Sequence, residues 1–211
     1  MTLIILNPME EKDLEKAVKI LKTGGIVAYP TDTAYALGVD ALNTSAVLRL
    51  SVIKKRPKGK RFTITVDSVE SAGKYAVLSD LERGMLEAFA PGPFTFIFHK
   101  REVIPSVVNP IAIGIRIPDR YEALELARRL DRPITATSAN ISGAPPSYSV
   151  KEVIYYFNGL INAIIDGGDL KRGRMSTIVD FTSGKPVLVR RGVIPFEEIV
   201  RKYEELSMRL I

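Results

Sequence analysis

Gly24-Gly25-Ile26-Val27-Ala28-Tyr29-Pro30-Thr31-Asp32-Thr33-Ala34-Tyr35-Ala36-Leu37-Gly38 is the stretch on which the fold turns. Ile26–Tyr29 is the short apolar run of a buried strand, and the two glycines before it close a preceding helix. Pro30 ends the strand, because proline has no N–H to give to a ladder. Thr31, Asp32 and Thr33 then set three short polar side chains at the strand exit, and Gly38 lets the chain leave. Open α/β sheets hold their ligands at such exits. The same residues also suit a plain turn with Asx and hydroxyl bonds to its own backbone. Local sequence leaves these two readings balanced.

Working outward, Met1–Leu6 reads as a first strand. Residues 9–23 read as a helix, with Leu14, Ala17, Val18 and Leu21 on one face. Thr44 or Ser45 caps a second helix that runs through Ile53 towards a basic cluster. Phe62–Val66 is strand-like, and Ser79-Asp80-Leu81-Glu82 has the capping-box pattern of a helix reaching Phe89. Phe94–Phe98 and Ile111–Ile117 follow as strands. The second alternates with period two and carries Arg116 on its less apolar face. Tyr121–Leu130 is helical, Pro133–Ala136 strand-like, Val150–Phe157 helical and Ala163–Asp166 a strand. Ser176–Phe181 and Val187–Arg190 form a strand pair around the Thr182-Ser183-Gly184-Lys185 turn, and Pro195 opens a last helix. Strands and helices alternate without a repeat or linker, so residues 1–211 read as one α/β domain with a mixed parallel and antiparallel sheet.

The composition, 46% hydrophobic and 26% charged, is that of an ordinary globular chain. No apolar run is long enough to span a bilayer, and the N-terminus lacks a signal-peptide pattern, so a cytoplasmic protein without membrane partners is expected. With no cysteine and one histidine, His99, thiolate and imidazole metal sites are disfavoured. Thirty Lys and Arg against 24 Asp and Glu give a net charge of +6, which favours an anionic ligand.

Four segments carry candidate chemistry. Lys54-Lys55-Arg56-Pro57-Lys58-Gly59-Lys60-Arg61 suits a phosphate chain or a nucleic acid, and equally a solvated basic face. Thr135–Gly143 and the following Ala144–Ser149 offer small hydroxyl and amide groups after a strand. Asp166-Gly167-Gly168-Asp169 leads to Arg174–Thr177, but it matches neither the P-loop nor the dinucleotide spacing. Arg190-Arg191-Gly192 ends a strand. His99, beside Lys100 and Arg101, reads as a surface residue, and Tyr155-Tyr156-Phe157 reads as helix packing. Neither a Ser-His-Asp triad nor an acid pair is present by spacing. Any chemistry would therefore rest on positioning and charge stabilisation rather than on a covalent nucleophile.

In order, Gly25–Gly38, Lys54–Pro57, Pro91–Thr95, Gly114–Pro118, Ser138–Gly143, Asp166–Gly168, Ser176–Ile178 and Arg190–Gly192 resemble the threonylcarbamoyl-AMP synthase family, or YrdC-like domain. The resemblance implies a twisted mixed sheet flanked by helices around a basic concave cavity, in the family's short form without a C-terminal extra domain. It implies an ATP-dependent nucleotidyltransferase that joins L-threonine and bicarbonate or CO2 to AMP, releasing pyrophosphate. Partner enzymes would then pass the threonylcarbamoyl group to tRNA. Carried over by motif, Lys54, Arg56, Ser138 and Asn140 would be catalytic. Thr31, Thr65, Arg116 and Ser176 would bind threonine. ATP would be held by Lys54, Arg56, Ser138, Asn140, Ser147 and Arg190, with Mg2+ entering on its phosphates and no protein metal site.

The sequence departs from the family pattern at Ala36 (usually Gly), Arg61 (Pro), Thr65 (often His), Ala90 (Trp) and Thr137 (Pro). These bear on how the amino-acid side chain is held and leave the phosphate-binding cations in place. The alternative is an RNA-binding or ribosome-associated module that uses the basic cluster without catalysis.

Overall fold

The computed structural model describes residues 2–209. Met1 of the expected first strand, and Leu210 and Ile211 at the end of the expected domain, lie outside these. The chain runs β1 (Ile4–Leu6), α1 (Glu11–Lys22), β2 (Val27–Tyr29), β3 (Ala36–Gly38), α2 (Thr44–Ile53), β4 (Thr63–Thr65), α3 (Val69–Gly73), α4 (Asp80–Phe89) and β5 (Phe94–His99). It continues β6 (Ala112–Arg116), α5 (Tyr121–Leu130), β7 (Ile134–Ser138), α6 (Val150–Phe157), β8 (Ala163–Ile165), β9 (Thr177–Asp180), β10 (Val187–Arg190) and α7 (Phe196–Arg209). The strands form one sheet in the order β1-β8-β2-β3-β7-β4-β6-β5-β9-β10. Parallel pairs (β1 and β2 with β8, β4 with β6, β5 with β9) are mixed with antiparallel ones. This is the expected α/β domain with a mixed sheet.

The hinge of the first half is the turn between α1 and β2. Gly24 sits at φ +79°, its N–H donates to Leu21 O, and Gly25 N–H donates to Ile20 O, closing the helix as the glycine pair predicts. The opening stretch then departs from expectation. Ala36–Gly38 is not an exit but β3, paired antiparallel to β2 with Tyr29 opposite Ala36 and Val27 opposite Gly38. The polar residues between are therefore a hairpin loop. Gly38 has no room for a side chain, since a Cβ there would lie 2.5 Å from Ile134 Cγ2 and 2.7 Å from the Tyr29 ring. Two further differences are local. Asn43, not Thr44 or Ser45, caps α2, its Oδ1 accepting from Ala46 N–H at 3.1 Å. The short α3 has too few residues to show a period. The capping box at Ser79 and Glu82 forms as expected.

Alternation along the strands sorts the core into two faces. Val27, Tyr29, Ala36, Ile134, Ala163 and Ile165 pack against the apolar faces of α1 and α5. Ile26, Ala28, Leu37 and Ile164 face the other way, towards α2 and α6, where Phe157 is buried and Tyr155 stays exposed. Phe94, Phe96 and Phe98 extend this second core. Phe96 and Phe98 lie 5.1 and 5.6 Å, ring to ring, from Phe181. The opposite face of the same strands carries Thr63, Thr95, Gly114 and Arg116. Small polar residues and a glycine there leave a concavity instead of a core.

Candidate functional site

That concavity is a cavity of about 210 Å³. Its floor is Thr63, Thr95, Ala136 and Ile178. Its walls carry six cations, Lys54, Arg56, Lys60, Arg61, Arg116 and Arg190, and no carboxylate. Ser138, Asn140 and Ser176 also line it, so seven of the ten expected site residues converge. Six like charges in one concavity raise the local potential and draw in an anion.

The end of α2 delivers the first two cations. Lys55 adopts left-handed backbone at φ +49°, a position usually given to glycine, and Arg56 N–H reaches back to Ser51 O at 2.9 Å. This reversal sends Lys54 inward. Its ammonium donates to Ser138 O at 2.5 Å, Asn140 O at 2.7 Å and Asn140 Oδ1 at 3.3 Å. Burial, then Arg56 and Lys60, pull its pKa down to about 7, while three oxygen acceptors for three N–H bonds favour the charged form. Arg56 instead lies over the Phe62 ring, 4.1 Å from its centre, and donates to Thr137 Oγ1 and to the carbonyls of Lys60 and Arg61. Burial pulls its pKa down to about 10. Arg190 is also shifted down, by burial and then by Arg116. Each shift records a cost of holding charge without a counter-ion, a cost that a bound anion removes.

At the opposite wall Arg116 ties the cavity to the hairpin loop. Its Nη2 donates to Asp32 Oδ1 at 2.5 Å, Thr33 Oγ1 at 2.7 Å and Thr31 Oγ1 at 3.3 Å. Its Nε is buried without a hydrogen-bond partner, and so is Asp32 Oδ2. The two readings of the opening stretch therefore hold together. The loop is a self-bonded turn, with the Thr31 hydroxyl donating to Ala34 O at 2.7 Å and accepting from the N–H of Thr33 and Ala34. It also braces the arginine that lines the cavity.

Three expected residues stand behind the wall. Thr31 is buried with its hydroxyl already committed. Thr65 is fully buried, with its hydroxyl 3.1 Å from Tyr29 OH. Ser147 is fully buried and donates to Ala139 O. None of the three lines the cavity in this conformation, so any contact with a ligand would need them to move. Conversely, Thr63, Thr95, Met175 and Ile178 line the cavity although none is among the expected site residues. Thr63 and Thr95 carry a signal, each being a polar residue between apolar ones on a strand, whereas Met175 carries none. His99 is exposed, with Nε2 3.1 Å from Thr182 O and away from the cavity. Among the described residues no group of three or more His, Cys, Asp or Glu could hold a metal ion, and no helix is long and apolar enough to cross a membrane.

Fold and cavity together define an α/β domain with a cation-lined cavity beside a buried arginine. The chain belongs to the Sua5/YciO/YrdC family, described as telomere recombination, whose model matches residues 19–192. It is 39% identical over 213 residues to a threonylcarbamoyl-AMP synthase of Pyrococcus abyssi, covering 99% of this chain and 63% of that protein. It therefore spans under two thirds of that relative's length. A putative threonylcarbamoyl-AMP synthase of Methanocaldococcus jannaschii is 36% identical over 203 residues, covering 94% of this chain and 97% of its own. A crystal structure of P. abyssi Sua5 complexed with L-threonine superposes with a TM-score of 0.89 at 37% identity, covering 96% of this chain and 61% of that one.

Proposed function

We propose that this protein is an L-threonylcarbamoyladenylate synthase, a nucleotidyltransferase acting on L-threonine, bicarbonate or CO2, and ATP. The observation that carries the reading is the cavity's charge pattern: six cations and no carboxylate over a floor of small polar and apolar residues. Two similar proteins are named for this activity, one of them as putative.

In this reading the threonine amine first takes up CO2 as a carbamate, losing its protons to solvent. A carbamate oxygen then attacks the α-phosphorus of ATP, the bond to the β-phosphate breaks, and pyrophosphate leaves with the electron pair. Arg56, Arg190 and Lys54 oppose the triphosphate's charge. Ser138 and Asn140 lie between nucleotide and amino acid, and Ser176 and the open Nε of Arg116 take the threonine carboxylate. Thr31 and Thr65 shape the amino-acid end from behind the wall, and Ser147 supports the nucleotide end. Mg2+ enters on the phosphates of ATP, because the lining residues offer it no carboxylate. The product is passed to tRNA-modifying partners.

The test is pyrophosphate release from ATP and Mg2+. Release should require both threonine and bicarbonate and should fall at least about a hundredfold in Arg56→Ala, as removal of one preorganised charge-stabilising group does. No threonine-dependent release by folded protein would overturn the reading. A second reading, RNA binding without catalysis, draws on Lys55 and Lys58, which are exposed beside the cavity mouth. It requires RNA affinity that falls steeply with salt and is unaffected when ATP fills the cavity.

A further inference from the structure

Lys54 differs from the other cavity cations in having every N–H bond taken. It is 2% exposed, and its ammonium meets three oxygens of one segment: Ser138 O, Asn140 O and Asn140 Oδ1. The segment returns the contact. Ser142 N–H donates to Lys54 O at 2.9 Å, and the Ser138 hydroxyl donates to Asn140 Oδ1 at 2.6 Å. Asn140 Nδ2 then donates to Ala144 O. Residues 138–144 are thus wound around an ammonium ion as a loop is wound around a bound cation. The cations that keep free N–H groups are elsewhere. Lys60 and Arg61 are exposed at the mouth, and Arg56 and Arg190 each retain N–H bonds beyond those used to fix them.

We propose that Lys54 is a positioning residue: its ammonium shapes the Ser138–Ala144 loop before any ligand arrives, and phosphate contact falls to Arg56, Lys60, Arg61 and Arg190. Swinging Lys54 onto a phosphate would strip the buried Asn140 carbonyl of its donor and leave the Ser138 carbonyl only the Asn140 N–H, and an unpaired buried carbonyl is costly. Its charge still reaches the ligand through the low-dielectric cavity, but its hydrogen bonds belong to the protein. The inference rests on the proposed function only for the identity of the anion.

The experiment follows nitrogen-labelled lysine and arginine side chains by NMR, with inorganic pyrophosphate as the probe. In ligand-free protein the Lys54 ammonium should give a slowly exchanging signal. Pyrophosphate should move the Arg56 Nε signal and leave that of Lys54 nearly in place. In ligand-free Lys54→Met, the amides of Asn140 and Ser142 should exchange at least about tenfold faster than in the parent, as expected for loss of hydrogen bonds to a charged group. A rapidly exchanging Lys54 signal without ligand, transfer of its hydrogen bonds to pyrophosphate, or unchanged amide exchange in the variant would each overturn the proposal. Should the variant not fold, the wild-type spectrum decides. None of these readouts uses threonine or turnover, so absence of the enzymatic activity leaves them standing, and a failed Lys54 prediction leaves the activity standing.

Discussion

Arg190 holds Ser176 by both its main chain and its hydroxyl: Nε and Nη2 donate to the Ser176 carbonyl at 3.1 and 2.8 Å, and Nη2 also reaches Oγ at 3.0 Å. The same hydroxyl lies 3.2 Å from Thr95 Oγ1, so one guanidinium from β10 fixes the start of β9 against the cavity floor. Only a planar fork can give two N–H bonds to one carbonyl. Arg190→Lys should therefore lower pyrophosphate affinity by roughly tenfold despite keeping the charge, as measured by calorimetry. Affinity equal to the parent's would show that charge alone matters at this position.

Arg116 and the hairpin loop give a prediction that separates the two ends of the cavity. Lysine at 116 keeps a positive charge but loses the Nε donor and the reach by which Nη2 meets both Asp32 and Thr33. Threonine affinity should fall about tenfold or more in Arg116→Lys, while ATP affinity stays within about twofold. Titration with each ligand separately is the check. Equal losses for both would place Arg116 at the phosphates instead.

The Lys54 pKa of about 7 sets opposite pH trends for stability and binding. The folded value is depressed below the unfolded one, so between about pH 7 and 10 the unfolded chain binds the extra proton. This group's penalty on folding is therefore full below about pH 7 and is relieved as pH rises. A bound anion favours the ammonium, so anion affinity should move the other way. Sulfate, which does not itself titrate in this range, should bind progressively more weakly above about pH 7, by up to about tenfold per pH unit. The slope should flatten in Lys54→Met. An identical slope in that variant would assign the titration to another group.

Gly38→Ala tests the packing under the hairpin. The new methyl would meet Ile134 Cγ2 and the Tyr29 ring at distances no carbon pair tolerates. A loss of roughly 1–3 kcal/mol is expected, the usual cost of overpacking a core, read from the midpoint of urea unfolding. An unchanged midpoint would mean that β2 and β3 separate more easily than their pairing suggests.

The sequence made the architecture legible where periodicity was strong. The helix around Leu14, Ala17, Val18 and Leu21, the period-two strand ending at Arg116 and the capping box at Ser79 all form where their patterns place them. It concealed β3, because the polar loop before it reads as a strand exit and Gly38 reads as the point where the chain leaves. The site divided along a similar line. Of the charged side chains at Lys54, Arg56, Arg116 and Arg190, only Arg116 is paired with an acid, Asp32 of the hairpin loop, and all four converge on a cavity lined by no carboxylate. Thr31, Thr65 and Ser147 do not reach it, because a hydroxyl's destination depends on which neighbour offers the nearer hydrogen bond. Here Ala34, Tyr29 and Ala139 offer it.

The cavity lining begins at Lys54 and ends at Arg190, and its floor comes from strands that meet only once the sheet is laid down from β7 across to β9. No shorter length of chain can present the full set of cations. An anion that binds there therefore recognises the finished fold and ignores the unfolded chain. At a hundred times its dissociation constant it would add about 2.7 kcal/mol to stability. The repulsion among its cations leaves the empty protein below its best stability, and nucleotide held in the cavity would act as the last piece of the fold, protecting the molecule from unfolding for as long as it stays bound.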